Sequence, residues 1–312
     1  MTLFLICAAV DQPCAQDRYP AQAIEMVVTF GPGGGLDTMA RRLAQLLEPL
    51  LNGSLFVTNV VGASGNSGLT KLLNNPADGY TIATLSSFTI SAWASGIGYA
   101  RPEDFIVLGT PQESPSMLFV PFDSQFKTFL QLLEFARANP GRLKVATAGS
   151  GTNDDITLRY FTGLGYRMAN VPYAKPADRY ASPFRKRTHA IYEEPGDVAD
   201  LLAKSRLRPL VVFDRRRHPA FPDIPASTEL GFDLIGLTNT RMLVARSGTP
   251  AEVVAILAAA IERALATPEW RKHCDETFSC TTNYALDEAK ERIKEVFEAR
   301  QEYLKHLGSG AN

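Results

Sequence analysis

The chain is poor in the residues that bind metals. It has 4 cysteines and 4 histidines in 312 residues. No two cysteines have CxxC spacing, and His189, His218, His273 and His306 are scattered. A four-ligand structural zinc site is therefore disfavoured. His273 adjoins Cys274, but no third or fourth ligand is spaced nearby. Charge of one sign is also lacking: 32 Lys and Arg stand against 33 Asp and Glu, a formal net charge of −1. That balance argues against a broad nucleic-acid surface, which needs clustered positive charge. The longest apolar stretch, Leu3 to Val10, falls well short of the roughly 18–20 residues that span a bilayer. Several catalytic and nucleotide signatures are missing as well. There is no GxxxxGK[ST], no GxGxxG, no GxSxG elbow and no HExxH.

What is present is ordinary globular material. Hydrophobic residues make up 45% and charged residues 21%, and the length suits one large domain or two of common size. Residues 1–16 read as a leader: a short apolar core, LFLICAAV, is followed by DQPCA and a polar stretch. Cleavage is expected after Ala15, although no Lys or Arg precedes the core. The competing reading is a buried N-terminal strand.

From Ile24 the chain alternates between strands and helices. Ile24 to Phe30 is a β-branched run that stops at Gly31-Pro-Gly-Gly-Gly35, and a helix is predicted from about Asp37. Its stripe is Met39, Leu43, Leu46, Leu47 and Leu50. Leu55 to Thr58 reads as a strand entering Gly62–Gly68 and a second helix. Tyr80 to Leu85 is a strand ending at Ser86-Ser87, and Met117 to Val120 is another. Phe126 to Ala138 is a helix, and Lys144 to Thr147 is a strand entering Ala148–Thr152 and a helix over Asp154–Phe161. Thr249-Pro-Ala-Glu252 has the form of a capping box opening a helix with Val253, Leu257, Ile261 and Leu265 on one stripe. A last helix is predicted over Asp287–Leu307. Such alternation implies α/β architecture with parallel sheets between helices. Short connections rather than a Ser/Gly linker suggest two lobes crossed by brief segments.

Three glycine-rich turns, Gly31–Gly35, Gly62–Gly68 and Gly149–Thr152, each precede a helix. Helix N-termini present unpaired N–H groups and partial positive charge, so they suit a carboxylate or phosphate. Equally, glycine serves tight turns without any ligand. The missing P-loop and dinucleotide patterns favour a small carboxylate over a nucleotide. Ligands of such sheets gather at the carboxyl ends of strands, where Ser86 and Ser150 lie. Glu193-Glu194 reads either as an acid/base pair or as a solvated face. Tyr173 offers a hydroxyl to a ligand or a ring to the core. Arg241 could grip a carboxylate through its guanidinium or lie on the surface. Arg215–Arg217 reads as an exposed turn.

Taken together, the segments resemble the Bug family of periplasmic solute-binding proteins, the extracytoplasmic receptors of tripartite tricarboxylate transporters. The pieces are Tyr19-Pro20 with Ile24; Phe30–Asp37 with Ala40-Arg41; Gly62-Ala-Ser-Gly65 with Gly68; and Asp78-Gly-Tyr-Thr81. Then come Asn139-Pro-Gly141, Gly149–Thr152, Val171-Pro-Tyr173, Leu207-Arg208, Phe221–Pro225 with Glu229 and Gly231, and Gly248-Thr-Pro250. Each is weak alone, but their order and spacing make the match specific.

The resemblance implies a type II, Venus-flytrap receptor whose two lobes close about a hinge, without catalysis and without a cofactor. Carried over, Pro32, Gly33, Gly34 and Asp37 match the first carboxylate-holding loop. Thr147, Gly151 and Thr152 match the loop of the second lobe, and Gly65 and Ser67 the loop before the second helix. Lobe 1 is expected to combine residues 17–121 with 237–312, and lobe 2 to hold 122–236. The chain departs from the family pattern at Ala174-Lys-Pro176, Ala190–Gly196 and Thr238–Met242. These segments would shape the far end of the cleft. The expected ligand is a small organic carboxylate, with dicarboxylates in the class. The expected partners are that ligand and membrane permease subunits, with no nucleic acid, and the chain is expected to act as a periplasmic monomer. The alternatives are a ligand sensor for a two-component system and an enzyme acting on a carboxylate. In the periplasm Cys274 and Cys280 could pair or remain thiols.

Overall fold

The computed structural model describes residues 19–232, 238–279 and 286–309. The expected leader and Cys280 lie outside the described residues.

Among the described residues ten strands form two sheets. They are β1 (Ile24–Val28), β2 (Leu55–Asn59), β3 (Thr81–Ser86), β4 (Phe105–Ser114) and β5 (Met117–Pro121). Next come β6 (Lys144–Thr147), β7 (Ala169–Pro172), β8 (Ala190–Glu193), β9 (Leu207–Val212) and β10 (Asn239–Arg246). The first sheet has the order β2-β1-β3-β10-β4 and the second β7-β6-β8-β5-β9. The first half of the chain supplies helices α1 (Gly35–Leu51), α2 (Asn66–Asn74), α3 (Ser87–Ala94), α4 (Phe129–Ala138) and α5 (Asn153–Gly163). The remainder supplies α6 (Pro176–Ala181), α7 (Ala199–Ala203), α8 (Ala251–Leu265), α9 (Pro268–Thr277) and α10 (Leu286–Ser309).

The period of two along each strand sends alternate side chains to opposite faces. On β1, Ile24, Met26 and Val28 join the cluster built on α1 and α8, with Leu43, Leu47, Leu257 and Ile261. Val27 points the other way, to Leu69, Leu72, Trp93 and Ile293. The second sheet repeats the pattern. Leu118 and Val120 of β5 face Phe129, Leu133 and Phe161, whereas Met117 and Phe119 face Ile191 and Val212 on the reverse. Both sheets are thus covered on two faces. Leu43 is fully buried in the first cluster. A Leu43→Ala variant is expected to lose about 2–5 kcal/mol of unfolding free energy in a denaturant titration.

Three sequence expectations need correction. The sheets are not wholly parallel: β10 runs antiparallel to β3 and β4, and β5 antiparallel to β8 and β9. Each of these strands is the first after a passage between lobes. It does not arrive through a helix packed on its own sheet, so the parallel crossover rule does not govern it. The same pairing moves the first boundary. β5 belongs to the second sheet, so the crossing is Pro115-Ser116 rather than the expected 121/122. The second expected boundary, 236/237, lies outside the described residues. Finally, the capping box does not form. Pro250 occupies the N-cap of α8, and the Thr249 hydroxyl donates to the Arg246 carbonyl instead.

Helix α10 touches both lobes. Ala289, Ile293 and Val296 lie in a first-lobe cluster, while Tyr303 and Leu304 lie against the second-lobe core. Between them, buried Arg300 donates through Nε to Ser91 of α3, whose hydroxyl donates to Asn153 at the start of α5.

Candidate functional site

The carboxyl ends of β1, β3, β6 and β8 converge between the lobes, the place where ligands of α/β sheets collect. Two adjoining spaces lie there and share Phe30, Ala148 and Ala174 as walls. The outer one is a chamber of about 440 Å³. One wall is Thr29, Phe30 and the loop Val61–Gly65 of the first lobe, and the other is Ala148–Ser150, Pro172 and Ala174 of the second. Its size lies within the usual range for a small-molecule site. The Ser64 hydroxyl spans it, donating to the Ser150 carbonyl at 2.8 Å.

The glycine-rich loops are held by the chain's own acids. Gly33 N–H donates to the Asp37 carboxylate at 3.0 Å, and Asp37 also accepts from Arg41 and Asn59. Burial alone would raise the Asp37 carboxyl, but Arg41, Gly33 and Asn59 together hold it below its usual value. In the second lobe Asp154 accepts from Ala148 N–H and from the Thr152 hydroxyl, and Asp155 accepts from Gly151 N–H at 2.8 Å. Burial pushes Asp154 up to about 6 against those hydrogen bonds. An acid in the first helical turn is the nearest anion to the unpaired N–H groups, so it takes part of the anion site.

The inner space is only about 30 Å³, room for about one water. Around it stand Glu193, Glu194, Asp197 and Arg179 from the second lobe, with Arg241, Asn239 and Ser86 from the first. Arg241 Nη2 lies 2.7 Å from both Asp197 oxygens and 3.1 Å from Glu194 Oε2. Its Nη1 donates to Gln112 Oε1 at 3.0 Å. Asn239 donates to Glu194, and so does the Ser116 hydroxyl. Arg179 is ion-paired with Glu193. Glycine at 35 leaves room for this pair: a Cβ there would stand 2.0 Å from Asp197 Oδ1 and 2.3 Å from Arg241 Nη1, so both side chains would have to shift. Desolvation raises Glu193 to about 8 in spite of Arg179, with Asp197 and Glu194 adding to the rise. Glu194 is raised in the same direction by burial, then by Asp197.

The structure sorts the sequence candidates. Gly65 and Ser150 line the outer chamber, and Ser86, Glu193 and Arg241 the inner space. Glu193 and Glu194 are buried, not a solvated face, and Arg241 is buried rather than a surface residue. Pro32, Gly33, Gly34, Asp37, Ser67, Thr147, Gly151, Thr152 and Tyr173 line neither space. Tyr173 lies against the second-lobe core, and the Thr147 hydroxyl hydrogen-bonds Asn170. Gly151, at φ +72°, lets the loop approach Ala92, Ser95 and Ile97 of the first lobe. Arg215, Arg216 and Arg217 form an exposed turn, where Arg217 pairs with Glu229. Cys274 is disulfide-bonded.

A family model described as the tripartite tricarboxylate transporter family receptor matches residues 39–297. The chain belongs to this family. Protein BugT of Bordetella pertussis is 27% identical over 270 residues, covering 84% of this chain and 82% of that protein. A UPF0065 protein from the tcbD-tcbE intergenic region of Pseudomonas sp. (strain P51) is 29% identical over 260 residues, covering 81% and 76%. Among solved structures, periplasmic binding protein BugD superposes with a TM-score of 0.85 at 24% identity, covering 93% of this chain and 99% of that one. MatC from Rhodopseudomonas palustris with bound malate gives 0.85 at 21% identity, covering 91% and 99%. The Bug-family resemblance therefore holds, and so does the two-lobed periplasmic-binding-protein fold.

Arg179, Asp197, Gln112, Asn239 and Ser116 were not picked out in the sequence. The signal available was the acid-dense segment Glu193–Asp197 at the end of a strand.

Proposed function

We propose that the chain is an extracytoplasmic solute-binding protein that captures a small organic carboxylate and presents it to the permease of a tripartite tricarboxylate-type transporter. The observation that carries this reading is the outer chamber, whose walls come from strand ends of both lobes. A ligand touching both walls favours the closed arrangement through contacts that exist only when the lobes meet. Membership of the receptor family and the malate bound to MatC support the carboxylate class, dicarboxylates included. The protein works in this reading as a periplasmic monomer that binds without turnover, with no cofactor and no nucleic acid.

A thermal-shift screen against mono-, di- and tricarboxylates tests it. A true ligand at about 100 times its Kd adds roughly 2.7 kcal/mol to the native state. Gly149→Leu is the companion variant. Gly149 has no restrictive backbone angle, and its added Cβ would lie 3.0 Å from Ser64 Oγ in the chamber wall. Binding is expected to weaken at least about tenfold, roughly 1.4 kcal/mol, by calorimetry, with the circular dichroism spectrum unchanged. Equal affinity in the variant would defeat the placement of the ligand in this chamber.

A further inference from the structure

The inner space carries a charge imbalance. Glu193, Glu194 and Asp197 each present an oxygen within 4.8 Å of the others. Among the described residues two guanidiniums face them, those of Arg179 and Arg241. One negative charge is therefore in excess, in a setting where unpaired charge is costly. A second observation concerns Ser86. It is 1% exposed, lines the same space, and its hydroxyl has no hydrogen-bond partner among the described residues. It lies opposite Arg241 in the β3–β10 register.

We propose that this inner end receives a cationic nitrogen, so that the ligand is a small carboxylate bearing an ammonium group at its far end. The inference rests on reading the outer chamber as the carboxylate site. An ammonium head is about the size of the single water that the closed space admits. It brings the charge of the cluster to zero, and its N–H groups can donate to the Ser86 hydroxyl and to the carboxylates. A second carboxylate would double the negative excess. A divalent metal ion would leave a positive excess beside two guanidiniums.

Without ligand a proton fills the same role. The groups facing Glu193 are Arg179 and Tyr180 of α6, Glu194 and Asp197 beyond β8, Arg241 of β10 and, through Arg179, Asp154 of α5. His273 on α9 stands behind Arg241 and is held toward its neutral form, first by burial and then by Arg42. An arriving ammonium expels the proton from the trio. Affinity then rises with pH below about 8, by up to tenfold per unit.

Calorimetry on the full chain tests this with matched sets: butyrate, 4-aminobutyrate and succinate, then the five- and six-carbon analogues. At one length the amino acid is expected to bind at least tenfold tighter than its two partners. It should also release about one proton, read from buffers of different ionisation heat. Ser86→Ala should weaken the amino acid several-fold and leave the others unchanged. A dicarboxylate or plain carboxylate that binds more tightly, without proton release, overturns the inner-site assignment and leaves the carboxylate receptor standing. Binding by none of the compounds overturns both.

Discussion

Arg241→Ala is expected to abolish the closed arrangement of the lobes. Arg241 extends from β10 of the first lobe, is 4% exposed, and contacts Asp197 and Glu194 of the second. Removing one partner of a buried ion pair costs about 3–5 kcal/mol, because the other charge stays desolvated and unmatched. Here two carboxylates would be stranded. The chain has an escape that a rigid core lacks: it can open and return both acids to water. The variant should therefore show a larger radius of gyration by small-angle X-ray scattering. Its carboxylate affinity should fall by roughly a hundredfold or more, the equivalent of that penalty. Arg241→Lys should not restore either property, since a single ammonium cannot hold Asp197, Glu194 and Gln112 at once. Wild-type scattering and affinity in the alanine variant would show that the lobes close without this clamp.

The parts of the molecule that were legible are those set by local pattern. The β-branched run from Ile24 was readable as a buried strand, and the stripe of α1 as a helix face. Although Gly62–Gly68 is not all loop, since α2 begins at Asn66 and Ser67 and Gly68 are helical, the glycine-rich turns do lead into helices. What they bind was less legible, because the same stretches contain Asp37, Asp154 and Asp155, and these acids reach the N–H groups first. The inner cluster was hidden for a different reason. Adjacent acids are seldom buried without partners, so Glu193-Glu194 alone pointed to solvent. Their partners are remote: Arg179 lies 14 residues from Glu193, and Arg241 lies 47 from Glu194. Arg179 sits in the short helix α6, where no periodic pattern marks it. Strand direction was similarly out of reach, because it depends on where the chain crosses between lobes.

The imbalance at the inner cluster also predicts how stability follows pH. Burial raises Glu193 from 4.5 to about 8, so the native state holds a proton that the unfolded chain has released. Its contribution is complete below about 4.5 and disappears as pH rises through 8. Asp154 acts in the same direction from 3.8 to about 6. His189, His218 and His273 act oppositely. Desolvation lowers all three, so the native state gains as pH rises, an effect complete only about one unit above 6.5. Asp37 and Glu25, lowered by their hydrogen bonds and cationic partners in spite of burial, matter only at acidic pH. Between about 7.5 and 9 the glutamates of the cluster therefore act without opposition from these groups. The slope is below the full ~1.4 kcal/mol per unit near the folded pKa, so the wild-type protein should lose up to about 1 kcal/mol over that interval. In a chain of this size that is a fall in Tm of about two degrees by calorimetry in the absence of ligand. Glu193→Gln keeps an acceptor for Arg179 and removes the titration, so its Tm should be nearly level across the same range. A wild-type Tm that stays level or climbs from about 7.5 to 9 would mean that the cluster carries no shared proton.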